Sequence, residues 1–180
     1  MRSKKERTTK PKKSDADVKV RGRAFLAIDA GASGASAWTT REGDAVCVPF
    51  ESPDTFLHTL RDFVETNSRG GKLSSSDVLC VLEKVGGYIG KAQPASSAFR
   101  FGENYGYIQG VLRALKIPYE LVSPTVWQKS YPTRTKASEN KAQHKRELRD
   151  IASRLFPESR VTLKTADALL LLDWTRKNRK

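Results

Sequence analysis

A chain of 180 residues fits one domain with a sizeable core, and its formal net charge of +13 points toward a polyanionic partner, although a basic surface can also serve solubility alone. No stretch approaches the roughly 20 apolar residues of a membrane span, so a soluble protein is expected. Cys47 and Cys80 lack CxxC or histidine-linked spacing, which argues against a disulfide or a zinc site and for buried free thiols of an intracellular protein.

The basic charge is unevenly placed. Residues 1–23 hold ten Lys/Arg and three acids. This stretch has no apolar run, so residues 1–22 read as a disordered basic tail rather than a signal peptide, and residues 23–180 as the folded domain. The tail suits a phosphate-binding arm, a targeting segment or a solubilising leader. Folding begins with RAFLAIDAGASGAS, residues 23–36, where an apolar strand over residues 24–28 runs into Asp29 and a glycine-bearing turn. A carboxylate at the end of a buried strand is costly unless it binds something, and Gly31 and Gly34 allow a sharp turn and close approach of a ligand. A hairpin with a turn aspartate is the competing reading.

Residues 35–40 and 45–50 read as two further strands around the turn at residues 41–44, completing an antiparallel meander. Ser52 then caps a helix with Pro53 at its first position, and Phe56, Leu57, Leu60, Phe63 and Val64 form its apolar stripe. His58 lies off that stripe and reads as a surface residue. After a Ser/Gly-rich loop at residues 67–76, DVLCVLEK forms a strand ending in Glu83, and the helical connection makes it parallel to its neighbour. Gly86, Gly87 and Gly90 mark a loop carrying Tyr88 and Lys91. A helix starting near Ser96 or Ser97 carries the stripe Phe101, Tyr105, Ile108, Leu112 and Leu115, with Gly102, Gly106 and Gly110 in register on a neighbouring face. Each glycine costs about 1 kcal/mol relative to alanine, so the register implies close packing, either within the chain or against a second subunit.

Residues 118–122 read as a fifth strand, and Ser123 starts a capped helical turn containing Trp127. Residues 129–149 carry seven Lys/Arg against Glu139 and Glu147. Their first half is expected to be a loop and their second half a helix with Leu148, Ile151, Ala152 and Leu155 on its apolar face. Lys141, His144, Lys145 and Arg149 fall on its polar part, as an ordinary solvated face or a phosphate-contacting ridge. Thr165 is expected to cap a last helix, TADALLLL, with Asp167 in its first turn.

Asp29, Glu83 and Asp167 are therefore candidates for one site. Three clustered carboxylates repel and raise one another's pKa unless a cation neutralises them. Oxygen-only ligands favour Mg²⁺ or Mn²⁺, and two ions roughly 4 Å apart would suit in-line displacement at phosphorus. Amid a basic surface, the chemistry implied is phosphodiester hydrolysis.

IDAGASGA, VLEKV, SSAFRFGENYGYIQGVLRAL, IPYELVSPTVWQKS, HKRELRDIASRLFP and TADALLLL together resemble the RuvC-like Holliday junction resolvases, especially the phage and chloroplast branch. The resemblance runs from about Phe25 to the C-terminus. It implies an α/β ribonuclease H-like fold with a five-stranded mixed sheet, a homodimer, and divalent-metal-dependent paired nicking of four-way junction DNA. Asp29, Glu83 and Asp167 match the family's strand and ADAL-motif acids. Residues 161–166 lack the further acid or histidine usual before that motif, leaving Glu158 and Asp173 as weak substitutes. Tyr88 suits base stacking or wedging. Lys91, Lys129, Lys141, His144 and Lys145 suit phosphate contacts, with Lys145 or Lys141 stabilising the transition state.

Three other readings use parts of the same pattern. A non-catalytic junction-binding protein would keep the basic ridge without the metal. A ribonuclease H or transposase-type nuclease would share the acids, and a sugar-kinase-like phosphotransferase would share DAGASGA but needs a second domain.

Overall fold

In the computed structural model, residues 23–31, 34–40, 43–67, 77–86 and 94–179 are described. Five strands form one sheet: β1 (Ala24–Asp29), β2 (Ala35–Thr39), β3 (Ala45–Pro49), β4 (Val78–Glu83) and β5 (Tyr119–Val122), in the order β3-β2-β1-β4-β5. The meander is antiparallel, pairing Leu26 with Trp38 and Ala37 with Cys47, whereas β1–β4 and β4–β5 are parallel. The mixed α/β sheet read from the sequence is thus present, with strand ends within two residues of expectation.

Helices α1 (Pro53–Asn67) and α2 (Ala95–Ala114) cover one face, and α4 (Lys141–Leu155) and α5 (Ala166–Asn178) the other. A single turn, α3 (Pro124–Trp127), follows β5. Alternation along β1 sends Leu26 and Ile28 toward the first face and Ala27 toward the second. Small residues make the second face shallow: Ala27, Ala35 and Ala37 on the sheet meet Ala166 and Ala168 on α5. Helix α5 is buried all round over its first two turns, so its stability rests on tertiary packing rather than amphipathicity.

Caps explain most helix starts. Ser52 Oγ accepts the Thr55 N–H at 3.1 Å, Ser123 Oγ accepts that of Thr125, and Asn140 Oδ1 accepts that of Gln143. Helix α2 begins one residue earlier than expected, directly after Pro94. Thr165 precedes α5 but does not cap it. Its hydroxyl accepts the Thr162 N–H at 2.8 Å, drawn back into the preceding turn where Thr162 Oγ1 is 3.2 Å away.

The α2 glycines also depart from the intrachain option. A β-carbon at Gly102, Gly106 or Gly110 would meet nothing within 4 Å, so among the described residues no backbone presses on this face. Phe99, on the same side, is 72% exposed. Cys47 and Cys80 are both free thiols, as expected; burial pushes the Cys47 thiol up to about 12 and that of Cys80 higher still. Among the described residues no helix is long and apolar enough to cross a membrane.

Candidate active site

The parallel register of β1 and β4 sets Ile28 against Leu82, which brings Asp29 and Glu83 side by side at the strands' carboxyl ends. Both follow residues that point to the α5 face by two positions, Ala27 and Val81, so both carboxylates project the same way. Asp167, in the first turn of α5, meets them there: its charge acts on both Asp29 and Glu83. All three sequence-predicted acids therefore share one electrostatic site.

The turn after Asp29 holds it from below. The Gly31 N–H donates to Asp29 Oδ1 at 2.9 Å, and the Gly34 N–H donates to Gly31 O at 2.9 Å. A β-carbon at Gly34 would collide with the Asp29 carbonyl oxygen, so this position requires glycine for close approach. Opposite, Trp127 is fully buried and its indole N–H donates to Glu83 Oε2 at 2.9 Å. Lys145 reaches from α4, with Nζ 3.4 Å from Asp167 Oδ2.

Burial, and then the Asp167 charge, raise Asp29 to about 6, although the Gly31 N–H and Lys145 act against this. Glu83 rises further, to about 8, through burial and the two aspartates, against the opposing pull of the Trp127 N–H and Lys145. One half-exposed lysine is a small counterweight to three carboxylates, so the site is short of positive charge. An oxygen-only donor set with that deficit fits a hard divalent cation. Among the described residues, no group of three acidic, histidine or cysteine side chains is drawn together tightly enough to enclose an ion.

Asp173 does not join the cluster. The Tyr131 hydroxyl lies 2.7 Å from Asp173 Oδ2 and 2.9 Å from Leu170 O, donating between them, while Lys177 Nζ is 2.6 Å from the same carboxylate oxygen. Asp173 thus fastens Tyr131, with its Oδ2 engaged away from the three acids. Glu158 is exposed in the turn after α4.

Lys129 and Lys141 are exposed, and Lys141 lies one turn before Lys145 on the same face of α4. His144 faces elsewhere. Its Nδ1 is 2.9 Å from Thr135 O, and a carbonyl only accepts, so Nδ1 carries the proton and Nε2 is buried with no hydrogen-bond partner among the described residues. Tyr88 and Lys91 lie outside the described residues. A separate cavity of about 320 Å³ opens at the other end of β4 and β5, where Arg179 is taken up by Glu120 at 2.6 Å.

Searches for relatives agree with this topology. The chain is similar to RuvC of Thermus thermophilus in complex with a Holliday junction substrate, with a TM-score of 0.51, 11% identity, and coverage of 86% of this chain and 95% of that one. A second Thermus thermophilus RuvC structure matches at the same TM-score and coverage, with 12% identity. The chain has the RuvC fold. No family model matches the sequence, and no curated protein does. The RuvC fold accounts for the convergence of two strand ends and a helix start, because parallel strands on either side of the chain crossover end at one edge of the sheet.

Sequence reasoning missed Trp127 as the partner of Glu83 and Tyr131 as the residue that stands edge-on to Trp127 and engages Asp173. Trp127 had a readable signal, a large residue with one N–H donor on a capped turn right after β5. Tyr131 had none, since its partner is 42 positions away.

Proposed function

We propose that this chain is a structure-selective endonuclease that resolves four-way DNA junctions by divalent-metal-dependent phosphodiester hydrolysis. The observation that carries the reading is the meeting of Asp29, Glu83 and Asp167 at one sheet edge, with Lys145 as their only ion-pairing cation among the described residues. The similarity to a RuvC in complex with a Holliday junction supports the choice of substrate. Asp29, Glu83 and Asp167 would hold Mg²⁺ or Mn²⁺, a pair of ions on the sequence reading, which when bound would supply a Lewis acid for water activation and for the leaving oxygen.

The chain's own groups have separable tasks. Gly31 fixes the Asp29 carboxylate, Trp127 fixes that of Glu83, and helix α5 presents Asp167. Lys145 screens the acids in the metal-free protein and is placed to turn to a non-bridging phosphate oxygen as negative charge builds there. Lys129 and Lys141 steer the backbone, and Tyr88 stacks on bases at the junction centre.

A homodimer would present two such sites for paired nicks. The glycine face of α2 beside Phe99, open among the described residues, supports it, because glycines in register are costly on a helix face that nothing approaches. Light scattering coupled to size-exclusion chromatography should give twice the 20.1 kDa chain mass.

The deciding experiment is cleavage of a synthetic mobile four-way junction, beside linear duplex and an RNA–DNA hybrid, with Mg²⁺, Mn²⁺ or EDTA. Paired, metal-dependent nicks at the junction, abolished by Asp29→Asn, are expected. Tight junction binding without cutting in either metal would favour the second reading, a non-catalytic junction-binding protein. The lack of an acid at residues 161–166 and the engagement of Asp173 by Tyr131 favour that alternative.

A further inference from the structure

The loop over residues 131–140 is polar and carries Arg134 and Lys136 against Glu139, and it is bound tightly to α4 by one acid. Glu147 Oε2 accepts the backbone N–H groups of Arg134 at 2.7 Å and Thr135 at 3.1 Å. Its Oε1 accepts the Thr135 hydroxyl at 2.9 Å and the Gln143 amide at 3.2 Å. The Thr135 N–H and hydroxyl, with Gln143 and Arg134, hold this carboxyl down to about 2. His144 grips the Thr135 carbonyl from the same helix face, and the Lys136 N–H is tied to Glu139 at 3.3 Å.

The acid in this basic segment is thus turned inward onto backbone donors, while the cationic side chains are left outward. Arg134 and Lys136 are exposed and form no ion pair among the described residues. Their position relative to the acids follows from helix geometry. Glu147 is two residues beyond Lys145, about 200° around α4, so the loop sits on the flank of that helix away from the Asp167 contact. The two surfaces lie on different sides of one helix, whose width is roughly 10 Å.

We propose that the 131–140 loop, clasped to α4 by Glu147, is a second phosphate-contacting surface on which Arg134 and Lys136 grip the backbone of a DNA arm flanking the one at the acid cluster. This rests on the nuclease reading and extends it: the inner face of α4 addresses the phosphate to be cut, and the outer loop addresses phosphates that are only held. Pre-ordering matters because a free loop would lose conformational entropy on binding, whereas a fastened one has lost it already.

The test is a fluorescence-anisotropy titration of the full chain against a labelled linear duplex and a four-way junction, in EDTA, over a salt series. Each phosphate contact contributes about −0.9 to the slope of log K against log salt on duplex DNA, so Arg134→Ala with Lys136→Ala should reduce its magnitude by about 1.8. Arg61→Ala, on the far face of the sheet, should leave the slope unchanged. Glu147→Ala discriminates by sign. It raises the net charge by one, which by charge alone would tighten DNA binding; loss of the clasp predicts weaker binding instead. Tightening, or an unchanged slope in the double variant while the wild type binds, overturns the loop's role and leaves the nuclease reading standing. A wild type with no salt-dependent binding overturns both.

Discussion

Trp127 and Glu83 are joined across 44 residues by one 2.9 Å hydrogen bond, in which a fully buried indole N–H donates to a carboxylate at the edge of the sheet. The bond selects one rotamer of Glu83 and leaves Oε1 for other partners. Trp127→Phe retains most of the buried volume but removes the donor, so folding stability should fall by about 1–2 kcal/mol. Trp127→Ala should lose about 3–5 kcal/mol through the cavity it leaves. The proposed positioning role adds that the Phe variant requires more Mg²⁺ for half-maximal junction cleavage. Thermal melts and a Mg²⁺ titration of cleavage would separate the two effects.

The acids predict how the metal-free protein responds to pH. Asp29 at about 6 and Glu83 at about 8 both lie above ordinary carboxyl values, so between about pH 4 and 8 the folded state binds more protons than the unfolded one. Their contribution to stability is whole below about pH 4 and is lost as the pH rises through 6 and then 8. The Tm measured in EDTA should therefore fall between pH 5 and 9, and Asp29→Asn should flatten that fall. Under the metal-binding proposal, Mg²⁺ should raise Tm most at the alkaline end, since it competes with protons for the same oxygens.

Lys145 lowers the pKa of both Asp29 and Glu83 while pairing with Asp167. Lys145→Ala should move both carboxyls upward, shifting the rising limb of a pH–rate profile to higher pH. If Lys145 also meets the developing charge at phosphorus, the plateau rate should drop by roughly 10²-fold. A shifted limb with an unchanged plateau would confine Lys145 to electrostatic screening.

Gly34 and Gly106 should respond oppositely to alanine. At Gly34 the new methyl would strike the Asp29 carbonyl oxygen, forcing the turn open and costing on the order of 2 kcal/mol or more. At Gly106 it would enter open space within the chain, so helix propensity alone predicts a gain of about 1 kcal/mol in the isolated protomer. If a second copy covers that face, the same methyl should weaken association, visible as a concentration-dependent shift toward monomer in light scattering.

The sheet and its acids were legible because their signals are local and periodic. An unbroken apolar run marks β1, a second marks β4, and the intervening helix fixes their parallel sense, so Asp29 and Glu83 follow as neighbours. Asp167 was legible from its place before LLLL. What lay beyond reach was pairing across long separations. Nothing local tells Tyr131 that Asp173 will receive its proton, or tells Glu147 that it will meet backbone donors twelve and thirteen residues away. The α2 glycines left two readings open, because spacing that reports a close approach serves a sheet or a second protomer equally. Thr165 misled because a neighbouring threonine, Thr162, competes for its hydroxyl.

Asp167 stands at the head of a helix whose next residues, from Ala168 to Leu172, are all buried. Such a segment opens only when the whole domain does, so this acid lacks the low-energy excursions available to groups on loops. Heat should therefore remove the position of Asp167 and the fold in a single step rather than disordering the site first. Under the nuclease proposal it also follows that Asp167 cannot adjust itself to a badly fitting substrate. On that proposal, the nucleic acid has to do the bending.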